Sequence, residues 1–193
     1  MISYSQIGQD ICVSLMLPRP GSFLDIGSGH PTDSSDTKSL ELLGWTGICI
    51  DNQQHDYTGR SCQFICADAI DAIQQITPGR SFDYVSFDID DDTTLAVWEF
   101  LQRNLTFKIA TVEHDKYRLG PTPQEDQHSL LSQSGYVPFI TNIRPHWSDM
   151  LVFEDWWCHR NLCNTTLANN ITDTEALACV TDFTSSPQPF GHH

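Results

Sequence analysis

The sequence predicts an α/β fold built on a mostly parallel seven-stranded sheet, and three observations predict it. Short apolar runs recur along the chain, and helix-like segments stand between most of them. The last two runs are joined by a link too short for a parallel crossover. The first two features call for a parallel sheet covered by helices on both faces. The third makes the C-terminal pair an antiparallel hairpin.

Each element follows in order. "SFLDI" (22–26) is the first strand and "GICID" (47–51) the second. Between them "DTKSLELLGW" sets Leu40 and Leu43 on one helix face, offers Asp and Ser as N-caps, and stops at Gly44. "CQFIC" (62–66) is the third strand, reached through the polar link "NQQHDYTGRS", which has room only for a vestigial helix. A helix at about 69–76 leads to "FDYVSFDI" (82–89). A second, at about 93–103, spaces Leu95, Trp98 and Leu101 or Gln102 helically and leads to "FKIATVE" (107–113). After a loop and helix closed by Gly135 come "YVPFITNI" (136–143) and "DMLVFED" (149–155), separated by "RPHWS". Residues 1–155 are thus the expected domain. Residues 156–193 are polar, rich in Asn and Thr and without periodicity, an extension with no assigned role.

Composition narrows the function classes. A chain of 193 residues with 39% hydrophobic content buries one core. With 25 acidic against 10 basic residues its formal charge is -15, which repels phosphate backbones and anionic headgroups, so neither nucleic acid nor membrane is an expected partner. The seven cysteines are scattered without CxxC spacing. The N-terminus lacks a charged leader and apolar run, so the expectation is a reduced, cytoplasmic protein without structural zinc. Asn-x-Thr sequons at Asn104, Asn164 and Asn170 therefore carry no weight. Nothing in the sequence sets the oligomeric state.

The first strand runs into Gly27-Ser28-Gly29-His30-Pro31-Thr32. A dinucleotide fingerprint needs a third glycine, which is absent. Asp25, just before Gly27, would oppose a pyrophosphate but suits a cofactor that presents an ammonium group, as the methionine moiety of S-adenosylmethionine does. Asp51 ends the second strand, where a carboxylate can take both ribose hydroxyls, with Asn52 beside it. Asp68 follows the third strand, next to Ala69, and can accept from the adenine amino group. The plainer account is that Asp and Gly are common in turns after strands. Five parallel strands closed by a hairpin are the layout of the Rossmann-like methyltransferase fold.

Four stretches, "SYSQIGQD" (3–10), "GSFLDIGSGHP" (21–31), "SSDTKSLELLGWTGICID" (34–51) and "DYVSFDIDDD" (83–92), resemble FkbM-type S-adenosylmethionine-dependent methyltransferases. The resemblance covers roughly the first 115 residues, with several motifs in the family's order. It implies O-methylation of a hydroxyl, often on a sugar or glycoside. It also implies that Gln6 and Asp10 close over the cofactor and that Thr37 lies near its carboxylate; a helix cap or a surface polar residue is the alternative at each. Two departures stand out. Asp51 replaces the family's usual Glu, and "DIDDDTTLAVWEF" stands where the family has Asp-x-Glu-Gly or Asp-x-Asp-Gly.

Methyl transfer to a hydroxyl needs an acceptor held in line and its proton removed. Ligands of such sheets sit above the carboxyl ends of the strands, here "DIDDD" (88–92) and "EHD" (113–115). His114 is the candidate general base, and Asp90 is counted with it at the reacting centre. A second route is a metal, Mg²⁺ or Mn²⁺, held by Asp88 and Glu113. Alternatively Asp90, Asp91 and Asp92 cap the next helix, and Asp88 touches the cofactor. In "RPHWSD" (144–149), Trp147 can stack on a sugar with Arg144 or His146 bonding its hydroxyls, or anchor an interface. The competing functions are an NAD-dependent oxidoreductase and a catalytically silent S-adenosylmethionine-binding module.

Overall fold

Residues 2–145, 148 and 150–162 are described by a computed structural model. In chain order the elements are α1 (Gln9–Met16), β1 (Ser22–Ile26), α2 (Lys38–Leu42), β2 (Thr46–Asp51), β3 (Gln63–Cys66), α3 (Ala69–Gln75) and β4 (Ser81–Phe87). There follow α4 (Thr93–Gln102), β5 (Thr106–Glu113), α5 (Lys116–Leu119), α6 (Thr122–Gln133), β6 (Tyr136–Ile143), β7 (Glu154–His159) and α7 (Arg160–Leu162). One seven-stranded sheet has the order β3-β2-β1-β4-β5-β7-β6. The first five strands are parallel, and β7 runs antiparallel to both β5 and β6. The expected Rossmann-like methyltransferase architecture is the one observed.

Both faces of the sheet are buried, and the period of two along each strand divides the core between them. Leu24, Ile26, Ile48 and Ile50 join Ala72 and Ile73 of α3, Val97 and Phe100 of α4 and Leu131 of α6. Phe23, Cys49, Tyr84 and Ile109 join Val13 and Met16 of α1 and Leu40 of α2 on the other side. The link from β2 to β3 carries no helix, as its length and polarity require.

Four expectations need correction. The helix α1 has no counterpart in the sequence reading; it begins after Gly8, whose φ of 85° turns the chain into it. In α4 the buried stripe is Thr93, Ala96, Val97 and Phe100, whereas Leu95 and Trp98 are 46% and 42% exposed. The helix turns its Ala96, Val97 and Phe100 side to the core, which leaves Leu95 and Trp98 on the other. Likewise Leu40 is buried but Leu43 is exposed. The last strand begins at Glu154, so the boundary set at 155 falls inside the sheet, with Trp156 and Trp157 buried in its middle. Met150, part of the apolar run read as that strand, is 84% exposed.

Cys158 is disulfide-bonded, which overturns the expectation of a wholly reduced chain, whereas Cys49, Cys62 and Cys66 form no disulfide. Among the described residues no helix is long and apolar enough to cross a membrane.

Candidate active site

From β1 the chain moves outward to β2 on one side and later returns to β4 on the other, so the carboxyl ends of β1 and β4 border a crevice. Gly27 turns the chain there with φ of 82°. A Cβ on it would lie 1.6 Å from the Asp88 carbonyl oxygen, so only glycine fits. The N–H groups of Gly27 and Ser28 donate to the Ile50 carbonyl at 2.9 and 3.0 Å, and that of Gly29 donates to Asp51 Oδ2 at 2.8 Å. The turn's own donors are therefore spent inside the protein.

A cavity of about 340 Å³ opens above β1, β2 and β4. Of the expected residues it brings together Gly27, Asp51, Asn52, Asp68, Ala69, Asp88 and Asp90, with Ile50, Ile70 and Ile89 as its apolar wall. Asp51 Oδ1 accepts from the Gln53 N–H at 2.8 Å, so each carboxylate oxygen is fixed by one backbone donor, and His55 Nε2 stands 3.6 Å from Oδ1. Asp68 caps α3 through the N–H groups of Ile70 and Asp71 and also faces the cavity. Asp68 is thus both a helix cap and part of the cavity wall.

Gly27 and Asp88 also line a second cavity of about 90 Å³, with Gln6 and Asp25 among the expected residues. Burial pushes the Asp25 carboxyl up to about 6, with Asp88 and Asp51 adding to the rise and the Thr37 hydroxyl and Arg60 opposing it. Thr37 donates to Asp25 Oδ2 at 2.7 Å and accepts from Arg60 at 2.9 Å. Thr37 is itself buried and lines neither cavity, so it supports Asp25 from behind. Asp10 also stays out of the site. It is buried and takes the hydroxyls of Ser3 and Ser5 and the N–H groups of Tyr4 and Ile11, which fixes the turn before α1.

The sequence reading missed Gln9, Ser34, Asp36 and Ser86, which complete this second cavity. Asp36 accepts from Ser86 Oγ at 2.9 Å. Burial, with the charges of Glu154, Asp25 and Asp88, raises its pKa well above the usual carboxylate range. Glu154, at the start of β7, accepts from Gln9 and the Trp156 indole; burial carries it to about 8, with Asp88 and Asp155 contributing. The only signal for Asp36 was its place among candidate caps. For Glu154 it was a charge inside a strand.

A third cavity, also about 90 Å³, shares Gln6 with the second and is lined by Glu113, Asp115, Tyr117, Pro145, Leu151 and Phe153. Glu113 and Asp88 share a hydrogen bond. Burial, that bond and the charges of Asp88, Asp115 and Glu154 push Glu113 up to about 11, so it holds the proton. Burial and neighbouring carboxylates likewise raise Asp88. Oxygens of Asp90, Glu113 and Asp115 lie within 4.8 Å of one another, a candidate cation group that contains Glu113 but replaces Asp88 with two other acids. Arg118 pairs with Asp90, Asp91 and Asp115 beside it. These acids do not cap α4 through their side chains.

His114 lies elsewhere. Its side chain is wholly buried, its Nε2 stands 3.5 Å from Asp155 Oδ1, and it lines none of the three cavities. Burial alone would raise Asp155, but hydrogen bonds from His114, Gln124, the Asn142 N–H and His128 outweigh it and hold the carboxylate at about 2. His114 is thus part of a packed polar cluster, and its side chain is not at the crevice. His146, Trp147 and Asp149 lie outside the described residues, as does residues 163–193 of the expected extension.

No family model and no curated protein sequence matches the chain. Solved structures do. One is the 1,6-didemethyltoxoflavin-N1-methyltransferase of Burkholderia thailandensis, with 1,6-didemethyltoxoflavin and S-adenosylhomocysteine bound. It has TM-score 0.53 and 15% identity over 77% of this chain and 74% of that one. A TehB-like SAM-dependent methyltransferase from Corynebacterium glutamicum gives 0.53 and 15% over 79% and 87%. The plantazolicin methyltransferase BpumL, in complex with SAH, gives 0.51 and 14% over 80% and 82%. At these identities the likeness is one of fold.

Proposed function

We propose that the chain is an S-adenosylmethionine-dependent methyltransferase that acts on a hydroxyl of a sugar in a glycan or glycoside. The observation that carries the cofactor assignment is the pair of adjoining cavities at the β1–β4 crevice. Asp25, Asp36, Asp51, Asp68 and Asp88 line them, and no basic side chain does. Such a set of acceptors fits ribose hydroxyls and an ammonium group. It opposes a pyrophosphate, and the N–H groups a pyrophosphate would need are already engaged by Ile50 and Asp51. The solved structures of the same fold, two of them holding S-adenosylhomocysteine, support the same cofactor.

When bound, S-adenosylmethionine supplies a methyl group on a positively charged sulfur. Asp51 accepts from the ribose, Asn52, Asp68 and Ala69 border the base, and Asp25 and Asp36 face the ammonium group, with Gln6 over the junction. Asp88 spans both cofactor cavities and reaches Glu113 in the third. The Asp88–Glu113 pair carries one proton between two carboxyls and takes up a second from the acceptor hydroxyl. Carboxylates beside Tyr117 and Phe153 suit a sugar, whose hydroxyls donate and whose C–H face packs on rings. The sugar and the FkbM assignment otherwise rest on the motif resemblance. The charge of -15 favours an acceptor that is neither nucleic acid nor membrane.

A second reading of the acceptor step is favoured by the three oxygens of Asp90, Glu113 and Asp115. They would hold Mg²⁺ or Mn²⁺, which would acidify the hydroxyl. Methyl-labelled S-adenosylmethionine offered with a panel of glycosides tests the whole proposal. Labelled glycoside that persists after exhaustive chelation supports the carboxyl pair, and labelling restored only by the metal supports the ion. Tight cofactor binding with no labelled product from any acceptor would reduce the chain to a silent binding module.

A further inference from the structure

A cation is buried behind the second cavity. Arg60 stands on the link between β2 and β3, and its side chain is 1% exposed. Each nitrogen of its guanidinium has an acceptor. Nε pairs with Glu41 of α2, whose side chain is 3% exposed and whose other oxygen takes the N–H groups of Ser61 and Cys62. Nη1 donates to the Pro31 carbonyl at 2.6 Å and to Ser35 Oγ at 3.1 Å, and Nη2 donates to Thr37 Oγ1 at 2.9 Å. Those three acceptors run along the connection from β1 to α2, the stretch that brings Ser34 and Asp36 to the second cavity. Thr37 passes the contact on, because the same hydroxyl donates to Asp25 Oδ2 at 2.7 Å. No basic side chain lines that cavity, and Arg60 is the cation that reaches Asp25 from behind.

We propose that Arg60 is a positioning residue for the ammonium-binding end of the site, holding Asp25 through the Thr37 hydroxyl and setting the stretch of Ser34 and Asp36 through Pro31 and Ser35. That the ligand is an ammonium rests on the proposed cofactor; the link from Arg60 to Asp25 does not. Electrostatics gives the direction of the effect. Burial pushes the Asp25 carboxyl up to about 6, the charges of Asp88 at the end of β4 and Asp51 at the end of β2 add to the rise, and the Thr37 hydroxyl and Arg60 oppose it. The other neighbours cannot stand in for the guanidinium. Cys49 of β2 meets Asp25 Oδ2 as a thiol at 3.9 Å, and Asp36 is an acid that burial and the charge of Glu154 on β7 raise well above the usual range. An ammonium group pairs with a carboxylate, whereas a protonated carboxyl offers it no charge. Without Arg60, burial and the surrounding acids keep the proton on Asp25 at neutral pH. A lysine at this position retains a point charge but loses the fork, since one ammonium cannot span Glu41, Pro31, Ser35 and Thr37. Charge and clamp are therefore separable by substitution.

The test follows the Asp25 carboxyl of the full chain by carbon-13 NMR, its signal identified by its loss in Asp25→Asn, and reads affinity for S-adenosylhomocysteine by calorimetry over the same pH range. In the wild type the signal titrates at about 6. Arg60→Gln moves that midpoint up by about one pH unit or more, the scale of one nearby opposite charge. At about pH 7 it binds S-adenosylhomocysteine about tenfold more weakly than the wild type and recovers part of the loss as pH rises. Arg60→Lys leaves the midpoint near the wild-type value and weakens binding at every pH. In an Asp25→Asn background the loss caused by Arg60→Gln no longer depends on pH. Should Arg60→Gln leave Glu41 buried without its partner and fail to fold, Arg60→Gln/Glu41→Gln removes both charges and carries the same expectation. An Asp25 midpoint that stays in place without the guanidinium, or that Arg60→Lys moves as far, overturns the proposal. A moved midpoint with affinity unchanged at every pH overturns the part of Arg60 in ligand binding. Failure of the wild type to bind S-adenosylhomocysteine at all counts against the cofactor instead, and the NMR titration then decides the link from Arg60 to Asp25 by itself.

Discussion

Glu113 and Asp88 share one proton across the carboxyl ends of the adjacent parallel strands β4 and β5. The folded protein keeps that proton to about pH 11, whereas the unfolded chain releases it near the ordinary value of 4.5. Glu154 behaves in the same way to about 8 and Asp25 to about 6. Each folded pKa is raised, so each group's contribution to stability is complete below the unfolded pKa and drains away as pH rises through the folded value. Asp155 has the opposite sign, but its window, from the usual 3.8 down to about 2, lies at lower pH. We predict a melting temperature lower by at least about 5 °C at about pH 9 than at about pH 5.5. Glu113→Gln flattens the slope. A flat profile for the wild type contradicts these assignments.

Asp51 lines the cavity of about 340 Å³ and is held there by the N–H groups of Gly29 and Gln53. Asp51→Ala removes the proposed ribose acceptor and little of the core. Affinity for S-adenosylhomocysteine falls at least about tenfold, the loss of charged hydrogen bonds, while the melting temperature shifts by only a few degrees. Calorimetry and thermal melting together check this.

Gly27→Ala is severe. The added methyl would sit 1.6 Å from the Asp88 carbonyl oxygen at a backbone φ of 82°. We expect a loss of more than about 2 kcal/mol, because strain at a positive φ adds to the collision. Denaturant titration measures it. Gly29→Ala has open space around its Cβ and costs less, only the strain of a φ of 53°.

His114 and Asp155 line none of the three cavities, and we expect them to act on stability. Asp155→Ala leaves His114, Gln124 and His128 without their shared neighbour and costs about 1–3 kcal/mol, the range for leaving a buried donor unsatisfied. His114→Asn lowers the melting temperature but leaves kcat within about threefold, whereas removal of a general base costs about 10²–10⁴-fold. A kcat loss on that larger scale would return His114 to the chemistry.

The sheet was legible because its strands are apolar runs bounded by Gly, Pro and Asp, and six of the seven lie within a residue or two of their expected spans. The last strand was not, since "EDWWCH" opens with two carboxylates that only tertiary partners such as Gln9, Trp156 and Gln124 make buriable. The helix α1 hides because Gln9 and Asp10 are buried polar residues on the face that an apolar stripe would mark. At the site, Asp25, Asp51, Asp68 and Asp88 were readable from their places at strand ends. Asp36 sits in a loop, where nothing in the sequence says that Ser86 lies beside it. His114 was misjudged because neighbouring positions at a strand end point to opposite faces. Glu113 meets Asp88 at the crevice, and His114 turns toward α6 and Asp155.

The most direct measurement is calorimetric titration of the chain with S-adenosylhomocysteine, with NAD as the control. The account predicts binding of S-adenosylhomocysteine with a dissociation constant in the micromolar range or tighter and no heat with NAD. Binding of NAD alone would contradict it and return the glycine turn to a dinucleotide.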